Sequence, residues 1–439
     1  MTRKLVLPIL ALLLLAAAPA QAAERKMTFY SKAIDVMPYT GEQNYMPLAA
    51  NGKEAPAEPG WITSLKVDVV KKRTADAKAL SIQDVMIHHI VLHAQDAVWS
   101  DKPGVGCFNQ FYAEGEENQE MPKVGDYGLR NATASGEAPT WFLTHMLMNH
   151  RGYPFKVYVR TRITYSDTPK TELTPLWLDT EDCNVDPTYT VRGNGVGDAT
   201  HYDRQDWTVP TDGRIIGAQG HLHGGGKYQS LRNMSCGNRE LLRSRAYYGF
   251  PNHIFYRVRP MLHEPSPISM SRTVSPQGIP VNAGDRLRLT AAYDNGLPHT
   301  RVMSIMMGYL APGEVDGCEA APDDVVVQDV PDRYRKPYPR YRVPLMAPPT
   351  GPFKPLGNGI GVGDYFFSKR RVVVERGTEV TWKFDATRQH DVSVANGPRG
   401  FSSEWIRKGE YTYTPRRRGV YSLYCTLHPG LMSQQLKVE

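Results

Sequence analysis

Tyr424-Cys425-Thr426-Leu427-His428-Pro429-Gly430-Leu431-Met432 is the stretch on which the reading of this chain turns. A thiol, an imidazole three residues on and a thioether four residues after that come from one loop between two strand-like runs. A second imidazole, His390 in Gln389-His390-Asp391-Val392-Ser393-Val394, stands 35 residues before Cys425 on another such run.

One thiolate, two imidazoles and a long thioether bond make the trigonal donor set of an electron-transfer copper site. The soft sulfurs favour Cu(I), the imidazoles accept Cu(II), and a fixed loop keeps reorganisation small. Zinc is disfavoured, because Met is a poor ligand for it. Residues 356–439 therefore resemble the cupredoxins, the plastocyanin and azurin relatives. The resemblance implies a Greek-key β-sandwich with His390, Cys425, His428 and Met432 as type 1 copper ligands.

Outward from this unit, Glu319–Pro355 clusters Pro with Asp, Arg and Tyr and shows no strand alternation, so 319–355 reads as an extended linker. Before it, short β-branched or aromatic runs recur between turn residues. Examples are Ser64–Val70, Val85–Leu92, Lys156–Tyr165, Arg214–Ala218, Arg286–Tyr293 and Met303–Leu310. With 38 Gly, 34 Pro and 24 Tyr, the composition agrees, and the expected class is all-β. A boundary near 178 would split this part into two tandem antiparallel, jelly-roll-like sandwiches, 23–178 and 179–318. Residues 1–22 read as a signal peptide: Arg3 and Lys4, the apolar run Leu5–Pro19, then Ala20-Gln21-Ala22. The expectation is a secreted or periplasmic protein without an integral membrane span.

Several classes fall away. Hydrophobic content of 41% excludes wholesale disorder, and a net charge of +7 over 439 residues gives no nucleic-acid footprint. Gly193–Gly197 and Gly357–Gly363 lack the last glycine of a dinucleotide fingerprint and read as loops. Glu114, Glu116 and Glu117 read as a solvated charge run. No Ser-His-Asp set or carboxylate pair has convincing spacing.

Three further clusters carry chemistry. They are Met86-Ile87-His88-His89-Ile90-Val91-Leu92-His93, Gln219-Gly220-His221-Leu222-His223-Gly224-Gly225-Gly226, and Val302-Met303-Ser304-Ile305-Met306-Met307. On a strand, residues i and i+2 share a face, so His221 and His223 can reach one metal. The glycines after them leave open space, and Met303 is available on a later strand as third ligand. Two imidazoles and a thioether with an open position suit copper that cycles while binding oxygen. His88 and His89, as strand neighbours, point to opposite faces under regular geometry. His93 and His299 read as incidental or supporting, and Met306 and Met307 as core.

The order of these clusters over about residues 60–318 resembles the copper type II, ascorbate-dependent monooxygenases, which include peptidylglycine α-hydroxylating and dopamine β-monooxygenases. The resemblance implies that His221, His223 and Met303 hold the oxygen-activating copper and that His88 and His89 hold a relay copper across an open cleft. It departs in two places. Thr164 stands where the family's third relay His would be, so His145 is the first substitute, with His150 or Met148 in reserve. Gln219 stands where the peptide-amidating branch has an Arg that grips a carboxylate, which disfavours a peptide substrate.

With Cys425 set aside for copper, Cys107, Cys183, Cys236 and Cys318 can pair in three ways. If the strands from His223 and Met303 leave a shared metal side by side, Cys236 and Cys318 meet at their far ends, which favours that pair with Cys107–Cys183. The sequence thus points to an exported copper monooxygenase acting on dioxygen and a small organic substrate. Its fused type 1 domain would deliver electrons from ascorbate or a redox protein. The other reading is a non-catalytic copper carrier or copper-handling protein on the same scaffold, favoured by Thr164.

Overall fold

The computed structural model describes residues 24–100, 107, 109–117, 119–193, 199–250, 252–259, 261–329 and 348–439. Residues 1–22, expected as a signal peptide, and residues 330–347 of the expected linker lie outside this set. The fold is all-β, as expected. The one helical turn among the described residues is the 3-10 segment Ile254–Arg257, capped by His253, whose side chain accepts from the Phe255 N–H. No helix among them is long and apolar enough to cross a membrane.

Strands form wherever β-branched and aromatic runs can bury their side chains against a neighbouring sheet. The expected runs all lie within observed strands, for example Gly60–Val70, Val85–Gln95, Gly213–Leu222 and His299–Pro312. One eleven-stranded sheet runs through both halves of the N-terminal region. Thr171–Asp179 is its hinge: Thr171–Leu173 pairs in parallel with Tyr127–Leu129, and Thr174–Asp179 pairs antiparallel with Ile305–Leu310. The boundary expected near 178 falls inside this shared strand. A four-stranded sheet packs on one part of it over a core that includes Leu65, Ile90, Trp141 and Leu143. A second core, with Leu176, Leu231, Leu289 and Leu310, includes strands of a separate five-stranded sheet.

The C-terminal unit has a five-stranded and a four-stranded sheet around Trp382, Tyr421, Leu423 and Leu436. It is not purely antiparallel: Arg371–Val374 runs parallel to Gln435–Val438, and Ile360–Val362 runs parallel to Trp382–Phe384. Ile360–Gly363 is thus a strand, which corrects the reading of 357–363 as a loop. The linker reading also needs correction at its start. Val326–Gln328 adds a strand to the edge of Arg272–Val281, Glu319 pairs with Arg214 at 2.8 Å, and Asp324 accepts from Ser275 at 2.6 Å. Composition hid this attachment because a three-residue edge strand leaves no periodic signal.

Disulfides join Cys107 to Cys183 and Cys236 to Cys318, the pairing the strand geometry favoured. Cys425 is the remaining cysteine, buried and unpaired. Two disulfides fit a chain that matures in an oxidising compartment.

The C-terminal unit is docked on the rest of the chain. Gly41 N–H donates to the Leu427 carbonyl at 2.9 Å, and Gly400 N–H donates to the Arg192 carbonyl at 2.6 Å. Thr300 Oγ1 donates to the Val394 carbonyl at 3.0 Å. Met146, from the N-terminal region, is packed into the C-terminal core.

Candidate metal centres

Three strand ends and their loop converge at the C-terminal centre. His390 closes Val380–His390, Cys425 follows Gly419–Tyr424, and His428 lies in the loop before Ser433–Val438. Cys425 Sγ is 3.8 Å from His390 Nδ1 and 3.5 Å from His428 Nδ1, and the two imidazole centroids are 4.6 Å apart. Met432 is buried in the same core as Cys425, and its carbonyl accepts from the Cys425 N–H at 3.3 Å. Each imidazole turns its other nitrogen to a carboxylate: His390 Nε2 is 3.2 Å from Asp364 and His428 Nε2 is 3.5 Å from Glu42. Such partners fix ring orientation and raise ligand basicity. Asp391 accepts from the Thr426 N–H at 2.7 Å and from its hydroxyl at 2.9 Å, which clamps the loop beside the thiol. Burial pushes the Cys425 thiol well above its ordinary range. A cation is what would displace that proton, and a thiolate with two imidazoles and a thioether fits copper.

The second region lies between the two halves of the N-terminal part. In the Val85–Gln95 strand the register against Thr140–Asn149 slips between Ile87 and His89, leaving His88 as a bulge. A bulge breaks the alternation of faces. His88 and His89 therefore converge, Nδ1 to Nδ1 at 3.3 Å, instead of diverging as regular geometry required. The His88 ring also stands 4.6 Å from the His223 ring, and the His221 and His223 rings are 5.2 Å apart. The two expected sites are thus neighbours in one cluster, without an open cleft between His88 and His223.

Each member of the His-x-His pair is held by one nitrogen and bare at the other. His221 Nδ1 lies 2.5 Å from Glu117 Oε1, and His223 Nδ1 lies 3.1 Å from the Arg301 carbonyl. The Nε2 atoms of both are buried without a partner. An Nδ1–H held by a carboxylate or carbonyl leaves the Nε2 lone pair free, the arrangement of a metal-binding imidazole. Burial holds His88 down to about 3 and drives His89 and His223 well below the usual histidine range, so these rings stay neutral donors.

Met303 lies on His299–Pro312, which pairs with His221 and Leu222 through Ile305 and Ser304. Tyr293 ties the two strands further: its hydroxyl donates to the Met303 carbonyl at 2.6 Å and accepts from the His223 N–H at 3.0 Å. Two cavities meet at this cluster, and His89 and Met303 line both. The smaller, about 70 Å³, also takes in His88, His223, Tyr424 and Thr426. The larger, about 240 Å³, has His221 and His93 on one side and an apolar wall of Val91, Trp177, Ile305 and Met307.

Other expectations need correcting. The glycines after His223 do not leave open space. A Cβ on Gly224 would stand 2.6 Å from Glu264, and one on Gly225, at φ +88°, would stand 2.5 Å from the His299 ring. Their role is to admit the His299–Glu264 pair, 2.7 Å apart. Glu114 and Glu117 are buried, not a solvated run. Glu114 accepts from the Tyr112 hydroxyl at 2.6 Å, and Glu117 serves His221. His145 does not line either cavity. It stands opposite Ile90, a core residue, whereas Met146 stands opposite His89 and lines the smaller cavity. Thr164 is away from the cluster, its hydroxyl taken by Ser64 at 2.8 Å. The residues missed by sequence reasoning, Glu117, Met146, Arg301 and His263, carry no motif. Their only signal is tertiary.

Among the described residues, sets of three His, Cys, Asp or Glu donor atoms within 4.8 Å of one another occur at His390, Cys425 and His428, and at Asp179 with the disulfide cysteines Cys107 and Cys183.

No family model matches the chain, and no curated protein matches it. Solved structures similar to part of it are cupredoxins. A purple cupredoxin from Nitrosopumilus maritimus is 22% identical, with 18% of this chain and 98% of that chain covered and a TM-score of 0.17. A mutant of amicyanin in its Cu(I) form is 25% identical, with 18% of this chain and 82% of that chain covered and a TM-score of 0.17.

Proposed function

We propose that this chain is an exported copper oxidoreductase in which the Cys425 centre passes electrons to copper at the histidine cluster, for dioxygen-dependent hydroxylation of a small organic substrate. The supporting observation is that Tyr424 and Thr426, the chain neighbours of Cys425, line the same cavity as His88, His89, His223 and Met303. A path from Sγ along one residue of backbone and across that cavity needs no diffusive docking step.

In this reading His390, Cys425, His428 and Met432 would hold one copper. His221, His223 and Met303 would hold another, with His88 and His89 beside it. Copper supplies a one-electron couple at the first place and a Lewis-acidic, oxygen-reducing centre at the second. The protein's own groups do the rest. Glu117 keeps the His221 proton on Nδ1, and the Arg301 carbonyl does the same for His223. Val91, Trp177, Ile305 and Met307 give the larger cavity an apolar wall that excludes water and favours a substrate with an apolar body. Ascorbate or a redox protein is the proposed source of electrons.

A copper-carrier reading draws on two observations. His88 and His223 are too close for separate sites across a cleft, and the His/Cys/Asp/Glu donors among the described residues gather three-fold only around Cys425 or the Cys107–Cys183 disulfide. Copper loading followed by oxygen uptake with a reductant separates the two. The oxidoreductase reading expects uptake that is abolished in His221→Ala while blue absorption persists, and copper retained at the cluster when Cys425→Ala removes that absorption. Copper confined to the Cys425 centre, with no uptake, leaves the carrier.

A further inference from the structure

We propose that Met86, His150 and His263 form an additional Cu(I) site, distinct from the sets above, that ties the Val85–Gln95 and Thr140–Asn149 strands to the loop following Ile254–Arg257.

The three side chains come from three places in the chain. Met86 and Met148 face each other across the strand pair, and both are 1% exposed. His150 follows the second strand and is 4% exposed. His263 arrives from the other half of the N-terminal region, where Phe255, Tyr256, Met261 and Leu262 pack on Met86 and Met148. His263 Nε2 touches Met86 Sδ, and the His150 and His263 rings lie 5.4 Å apart at 33°.

Each imidazole keeps one buried ring nitrogen that no hydrogen bond uses. His150 Nδ1 is engaged by the Ile82 carbonyl at 2.6 Å, which fixes the tautomer, while its Nε2 is buried without a partner. His263 meets Met86 Sδ through Nε2, and its Nδ1, on another side of the ring, is buried without a partner. Leaving such groups unpaired costs free energy that a ligand recovers. The set has no thiolate or carboxylate, and its surroundings are thioether and aromatic. Neutral, soft donors in an apolar shell suit a monovalent soft cation over a divalent one. His263 and Met148 also line the smaller cavity, so an ion there has a route to and from the histidine cluster.

Bound metal would cross-link strands of one half to a loop of the other. It would stabilise the chain in proportion to the logarithm of free Cu(I) over its dissociation constant.

The test uses the full chain, stripped of metal and titrated with Cu(I) against a chromogenic chelator. Met86→Leu keeps the volume and removes the sulfur, and His263→Ala removes one imidazole. Each is expected to lower the bound Cu(I) by one equivalent. Blue absorption at Cys425 and the near-ultraviolet dichroism of the apo-protein are expected to stay unchanged. An equivalent count in Met86→Leu and His263→Ala equal to that of the parent overturns the site. That result is independent of oxygen uptake and of His221→Ala, so it leaves the proposed function standing. Conversely, a missing oxygen reaction leaves this count unaffected.

Discussion

His221 Nδ1 and Glu117 Oε1 lie 2.5 Å apart although the two residues are 104 positions apart in the chain. The Glu117 side chain is 1% exposed and also accepts from Gln119 Nε2 at 2.9 Å. A buried carboxylate on the rear nitrogen of an imidazole makes the front nitrogen a better donor. Glu117→Gln is expected to weaken copper at the His221/His223 set by roughly 10- to 100-fold, the usual cost of losing such a partner. Competitive copper titration checks this, with blue absorption at Cys425 as an internal reference. An unchanged affinity would reduce Glu117 to a packing residue.

His145, expected as a relay ligand, has both ring nitrogens buried without partners. Burial lowers it to about 4, so it sits neutral and unsatisfied. Replacing an unpaired polar ring with an apolar side chain of similar size removes a desolvation penalty of about 1–3 kcal/mol. His145→Leu is therefore expected to raise unfolding stability by about 1 kcal/mol and to leave copper stoichiometry unchanged. Denaturant titration and metal analysis measure the two. A lost copper equivalent restores His145 as a ligand.

Arg301 joins the histidine cluster to the C-terminal unit. Its carbonyl holds His223, while its guanidinium donates to the Ser403 carbonyl at 3.2 Å, pairs with Asp186 and stacks 4.3 Å over Trp405. The backbone contact survives truncation of the side chain, but the docking contacts do not. Arg301→Ala is expected to weaken docking by about 2–4 kcal/mol, as for interface arginines of this kind. Both metal centres should stay loaded while electron transfer from Cys425 to the cluster slows. Small-angle scattering and stopped-flow reduction kinetics report on it. Unchanged scattering and kinetics would place the docking energy elsewhere.

Glu181 gives a pH dependence with a definite sign. Burial, then the neighbouring Asp203 carboxylate, raise it from 4.5 to about 7. Between those values the folded chain holds the extra proton, so this contribution to stability is complete below about pH 4.5 and lost as pH rises through about 7. Solvent screening at this half-exposed position keeps the effect small. Glu181→Gln is expected to raise Tm by roughly a degree at pH 8 and to converge on the parent at pH 5. Equal differences at both pH values would mean that Glu181 ionises normally.

Much of the architecture was legible because it is written in local pattern. Runs such as Val85–Leu92 and Met303–Leu310 are dense in apolar residues, and largely buried strands form there. The Cys425–His428 loop and His390 were legible because a short loop and the end of one strand suffice to assemble them. Where His145 falls was not legible, because a single slip of register at His88 decides which residues of the facing strand share its side. No periodic signal announces such a bulge.

By itself, the sequence determined the all-β class, the cysteine arithmetic and the kinds of donor atoms available, since these follow from residue type and short spacing. Tertiary structure alone decided that His88, His89, His221 and His223 stand together, that Glu117 backs His221, and that Tyr424 and Thr426 face their cavity. Those outcomes depend on how one continuous sheet and a docked C-terminal unit bring distant strands within a few ångströms. Contacts of that range are set by packing of whole sheets, which no local window of residues encodes.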